Sequence, residues 1–172
     1  MSPSSPAAPK EPSPLFEDFT REFAATRRVL ERFPSDHDEW RPHAKSRTLL
    51  QLASHIAGIP TRGTMILATE GLDMATARPA GSPAPAGELV ARFDANVAEF
   101  QRALAKATPD DLSHDWVMSA GDQVIVRDTK RSLMRLMVVS HLIHHRAQLG
   151  VYYRLLDVPV PGVYGPSADE SI

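Results

Sequence analysis

The chain has 172 residues, 42% of them hydrophobic, with 19 Lys and Arg against 21 Asp and Glu, a net charge of −2 and no cysteine. That length fills one core rather than two, and the nearly balanced charge gives no electrostatic reason to expect nucleic acid or an anionic membrane as partner. The absence of cysteine excludes disulfides and thiolate ligands, leaving His, Asp and Glu for any metal, and fits a reducing compartment.

Residues 1–14 hold Pro3, Pro6, Pro9, Pro12 and Pro14 among serines and alanines, a composition expected to form a disordered tail ahead of a single domain over 15–172. The N-terminus has no apolar signal core and no run approaches the ~20 apolar residues of a membrane span, so a cytoplasmic location is expected. Leu15, Phe16, Phe19, Phe23, Thr26, Leu30 and Phe33 recur at three and four, which predicts an amphipathic helix ending before Pro34. An irregular link over 35–45 follows. Ser46 or Thr48 then caps a second helix through Leu49, Leu52, Ile56 and Ile59, with Thr48 and Gln51 at capping-box spacing. Gly58 and Pro60 should bend it one turn after His55, before the pattern resumes at Met65 and Ile66.

Residues 75–87 read as a loop, and Leu89, Phe93, Val97, Phe100 and Leu104 as a third helix. Trp116, Val117 and Met118 face Val124, Ile125 and Val126 across Ser119, Ala120, Gly121 and Asp122, the pattern of a short β-hairpin. Asp128 or Thr129 starts the longest helix, which runs to about Leu156. The fold class expected is therefore all-α, a four-helix bundle, with that hairpin before the last helix.

The last helix carries His141 and His145, four residues apart, so two imidazoles can converge on one ion. With seven histidines in the chain, chance supplies about a quarter of such a pair, so the context decides. At ~100° per residue, Met134, Met137, Val138, His145, Gln148 and Tyr152 fall within roughly 60° of His141, which turns the pair inward. His55, on the inward face with Leu52 and Ile59, completes a three-histidine metal site with a position left for water or substrate. Leu142 stands where a zinc protease needs its glutamate, and the last helix has no glutamate, which removes the protease and carboxylate-bridged di-iron readings. What remains is one metal on His55, His141 and His145.

His144 lies ~60° off that pair and reads as a flanking residue. Gln148 and Tyr152 are candidates to orient a ligand or face substrate. Arg146, roughly 140° from His141, reads as a surface or interface ion pair. His43, Tyr164, Asp169 and Glu170 sit on loops that can approach the site. From Leu133 to Ile143 the helix is apolar almost all round, which predicts a homodimer through its outer face.

Trp40, Pro42 and Ser46 ahead of His55, then His141 with His145-Arg146-Ala147-Gln148 and Tyr152-Tyr153-Arg154, then Val160-Pro161, Tyr164-Gly165-Pro166-Ser167 and Asp169-Glu170, resemble the DinB/YfiT-like superfamily over residues 15–170. The resemblance implies a four-helix bundle of up-down-down-up type, usually dimeric, with one divalent metal, commonly zinc or nickel, on the three histidines. Ala147 departs from the glycine that relatives often carry there. Relatives include transferases and isomerases that use a low-molecular-weight thiol such as bacillithiol, mycothiol or glutathione. The resemblance thus implies a metal-dependent S-transferase acting on a small-molecule substrate, with a thiol cosubstrate whose thiolate the metal favours. Two other readings are a non-catalytic metal-binding or stress-related bundle and a metal-dependent hydrolase.

Overall fold

Phenylalanines spaced by a helical turn set the first element of the computed structural model, which describes residues 14–77 and 82–171, with side chains from Asp18 onward. Helix α1, Pro14–Leu30, buries Phe19 and Phe23 against Phe93 and Phe100 of helix α4, Leu89–Leu104, with ring centroids 4.8 to 6.0 Å apart. The expected disordered tail falls outside the described residues except for Pro14, which opens α1 instead, since proline costs no hydrogen bond in a first turn.

The link after α1 folds back on the next helix: the Leu49 and Leu50 amides donate to the Trp40 and Asp38 carbonyls. Helix α2, Leu49–Gly58, starts with the expected capping box between Thr48 and Gln51. The expected interruption at Pro60 is a clean division, with helix α3, Pro60–Ala68, beginning after Ile59. Because Pro60 has no N–H and its ring clashes one turn back, the α2 ladder cannot continue through it.

All-α is too simple for this chain. A three-stranded sheet in the order β1-β2-β3 joins the helices. The expected hairpin is present as β2, Asp115–Ala120, and β3, Gln123–Thr129, turning through Gly121 at φ 59° and Asp122. Positive φ at the first turn position suits glycine. Strand β1, Gly71–Asp73, adds in parallel to β2, and the Asp73 carboxylate accepts the Gly121 and Ala75 amides. Trp116 fixes the sheet to the helices: its ring is fully buried, and its Nε1–H donates to Thr69 Oγ1 at 3.0 Å. A one-turn helix α5, Pro109–Ser113, precedes β2.

Thr129 caps the last helical run, accepting the Ser132 amide. The run comprises α6, Lys130–Met134, a π-helical segment, Arg135–Ser140, and α7, His141–Leu155, with α-region backbone at both junctions. α1 contacts α4 and α7, α2 contacts the same two, and α3 contacts α4 and α6. Leu133, Met134, Met137, Val138, Val139 and Leu142 are buried within the chain itself. Most of the apolar circumference expected to need a partner is thus covered by α1 and α3, leaving Leu136 exposed and Ile143 half-buried. Among the described residues no helix is long and apolar enough to cross a membrane.

Candidate metal centre

His55 sits in the last turn of α2, just before the chain breaks at Ile59 and Pro60. His141 opens α7 directly after the π-helical segment, and His145 follows one turn later. The three rings face one another: centroids are 5.2 Å apart for His55 and His141, 4.6 Å for His55 and His145, and 4.6 Å for His141 and His145. One nitrogen from each lies within 4.8 Å of the others. The His55 and His141 Nε2 atoms are 2.9 Å apart. Zinc–nitrogen bonds of ~2.0–2.1 Å at tetrahedral angles place two donor nitrogens about 3.3 Å apart, so this spacing suits ligands of one ion. Among the described residues this is the one group of three or more His, Asp or Glu near enough to share a metal.

Electrostatics keep the rings neutral. Burial, with Arg47 beside it, pushes the His55 imidazole down to about 3. Burial and then Arg62 push His141 down to about 4. His145 is also lowered, by burial, although its hydrogen bond to Gln148 works in the opposite sense. Desolvation penalises the charged imidazolium. At neutral pH all three therefore carry a lone pair, the form in which histidine binds metal.

Gln148 does what its position on the wheel suggests: its Oε1 accepts from His145 Nδ1–H at 2.7 Å. That bond fixes the tautomer and leaves Nε2 as the free donor atom toward the other rings. Tyr152 stands elsewhere. Its hydroxyl donates to the Arg47 carbonyl at 3.3 Å and its ring meets Trp40 edge to face, 5.5 Å between centroids. It therefore ties α7 to the segment that leads into α2. His144 is exposed and rests edge-on against His145.

Of the two places expected for Arg146, surface or interface, the structure has the second: an ion pair buried between helices. Its guanidinium is 4% exposed and donates to the Glu22 carboxylate at 2.7 Å, the Glu22 carbonyl and Thr26 Oγ1 at 3.1 Å, and Tyr164 Oη at 2.7 Å. α1 supplies the acid, so the 140° offset points the arginine into the α1 interface. Tyr164 donates to Glu22, Asp169 pairs with Arg154, and Glu170 pairs with Arg28 and Arg32. These three loop candidates are occupied in fastening the tail. His43 is exposed and accepts the Lys45 amide.

Beside His55 opens a cleft of about 670 Å³ whose walls come from α2, α3, α4 and the segment around β1. Among the described residues no carboxylate lines it, while Arg47, Arg62 and Arg92 do. The sequence reading missed these arginines, because they come from three separate elements and share no spacing pattern.

The DinB family model matches residues 9–171. Solved structures with the same fold include the DinB-like protein YjoA of Bacillus subtilis, 18% identical, with a TM-score of 0.67 over 88% of this chain and 98% of that one. A DinB-like protein from Bacillus cereus is 21% identical, with a TM-score of 0.65 over 87% of this chain and 95% of the other. No functionally curated protein matches the sequence.

Proposed function

Because the chain belongs to the DinB family, we propose that His55, His141 and His145 hold one divalent metal ion, zinc or nickel, and that the protein is a thiol-dependent S-transferase. The observation that carries this reading is the convergence of three neutral imidazoles beside an open cleft that, among the described residues, no carboxylate lines. The donor set fits a borderline metal, for which imidazole is a suitable ligand and three protein ligands leave a position open.

When bound, the metal supplies Lewis acidity, lowering the pKa of a coordinated thiol so that a thiolate persists at neutral pH. The remaining work falls to the chain. Gln148 holds the His145 ring with Nε2 inward. The Tyr152–Arg47 contact keeps α2 registered against α7. The cleft receives the electrophile beside His55. The thiol proton passes to solvent when the thiolate forms; the thiolate's electron pair then makes the carbon–sulfur bond as the leaving group departs with its own pair, and a nucleophile that is already ionised needs no general base at that step. The lack of a carboxylate among the described residues of the cleft agrees with this chemistry and weighs against hydrolysis, in which a base helps activate water.

The helical contacts support a four-helix arrangement of up-down-down-up order made of α1, α2 with α3, α4, and α6 with α7. A homodimer would bury Leu136, Ile143, Ala147 and Val151 on the outer face of the last helix, in the reducing cytoplasm that a free-thiol cosubstrate requires.

The test is elemental analysis of tag-free protein together with thiol consumption against chlorodinitrobenzene, in which a C–S bond forms and chloride leaves. One metal per chain, with both metal and activity lost in His141→Ala, is the expected result. Metal binding with no turnover of any electrophile would move the protein to the non-catalytic metal-binding reading.

A further inference from the structure

Seven of the fourteen described arginines have an acid, Arg21 with Asp18 among them. Arg27 pairs with Asp94, Arg28 and Arg32 with Glu170, Arg135 with Asp18, Arg146 with Glu22 and Arg154 with Asp169. Arg47, Arg62 and Arg92 line the cleft beside His55, and among the described residues none of the three has an ion-pair or side-chain hydrogen-bond partner. Arg62 is half-buried there. Burial and the nearby Arg47 both act against its charge and lower its pKa. A half-buried guanidinium with no anion is a cost to the folded chain, since burying a charge is unfavourable unless it is paired. The rest of the wall is of another kind: Met65, Leu72 and Met74 present apolar surface to the same space.

We propose that this cleft binds a small molecule carrying two negative charges on a partly apolar body, with Arg62 as the central anion contact and Arg47 and Arg92 at the rim. The reading rests on the metal-site proposal only for the direction in which the reacting atom faces. Guanidinium forks recognise carboxylate and phosphate oxygens through paired hydrogen bonds, and a low-dielectric wall strengthens them. The shared chemistry is a dianion, found in dicarboxylates and in phosphate monoesters.

Calorimetric titration of the full chain, metal-free and metal-loaded, with succinate and with phenyl phosphate reads the site without turnover. Succinamide, of similar size and neutral, is the control. Binding of either dianion is expected, with Kd raised about tenfold or more in Arg62→Met and only partly restored in Arg62→Lys, as the loss of a charge-assisted fork predicts. Tighter succinate assigns a dicarboxylate, and tighter phenyl phosphate assigns a phosphate ester. Equal binding of succinamide, or an unchanged Kd in Arg62→Met with native circular dichroism, overturns the proposal. His141→Ala separates the two readings: anion binding that survives loss of the metal supports this site on its own, whereas metal binding with no dianion affinity removes this inference and leaves the metal centre standing.

Discussion

Arg146 and Glu22 meet at 2.7 Å with 4% and 3% of their side chains exposed, and Arg146 is the residue directly after His145. The pair fastens α7 to α1 at the level of the histidines. Burial by itself would raise the Glu22 carboxyl, but hydrogen bonds from Tyr164 and Arg146 outweigh it and hold the group below its ordinary 4.5.

Removing one partner leaves the other charged and buried. Arg146→Ala is expected to cost about 3–5 kcal/mol, read as a shift in urea midpoint at constant slope. Glu22→Gln keeps an acceptor for Tyr164 and Arg146 and should cost less. Since the folded pKa of Glu22 is depressed, its contribution is complete above pH 4.5 and disappears as pH falls through the lower folded value. A wild-type stability profile parallel to that of Glu22→Gln below pH 4.5 would contradict this.

The histidines titrate with the same sign for a different reason. With His55 at about 3 and His141 at about 4 in the folded chain, the unfolded state binds more protons below 6.5, so the metal-free protein loses stability as pH falls from there toward 4. His55→Ala should flatten that decline. Metal affinity should fall less between pH 7.5 and 5.5 than at an ordinary histidine site, which loses affinity below about 6.5, because His55 and His141 have no proton to shed in that range. Competition titration with a chromogenic chelator at several pH values measures it, and a steep fall near 6.5 would refute it.

Gln148→Ala removes the acceptor that orients His145 while leaving the exposed helix surface otherwise unchanged. Metal affinity should drop about 10–100-fold, with little change in the urea midpoint of the metal-free protein. Equal affinity in the variant would show that the tautomer is set without Gln148.

At Gly71 a β-carbon would stand 2.5 Å from the Val117 carbonyl oxygen, a backbone atom that cannot rotate away. Gly71→Ala should detach β1 from β2 and displace Leu72 from the cleft wall, costing about 1–3 kcal/mol. Faster amide exchange at Val117 and Ser119 is the expected sign; unchanged exchange would mean that β1 tolerates the side chain.

For the dimer the informative residue is Leu136, 55% exposed on the last helical run. Light scattering at micromolar concentration should give twice the 18.9 kDa chain mass, and Leu136→Glu should return the monomer without loss of fold. A monomeric wild type ends that proposal.

The parts legible in sequence were those encoded locally. Thr48 and Gln51 announce their capping box within four residues, Pro60 can only divide a helix, and His141 and His145 share a face because they lie one turn apart. His55 was reachable from its own inward stripe. Features that depend on distant pairing were not legible. Glu22 and Arg146 are 124 residues apart, so nothing around Arg146 announces its acid. β1 is three residues with Leu72 as its one large apolar side chain, and its existence depends on β2. The arginines of the cleft become neighbours only once α2, α3 and α4 have packed.

The π-helical turn over Arg135–Ser140 carries a further consequence. A π turn holds an extra residue relative to the α ladder on either side, so it sets a phase offset between α6, which leaves the sheet, and α7, which bears the histidine pair. Forcing this segment into a regular α-helix at its present length would rotate one half against the other by about one residue's turn, about 100°. The hairpin and the imidazoles could then no longer both keep their present bearings. The widened turn is what lets the hairpin and the centre be served by one continuous helical run.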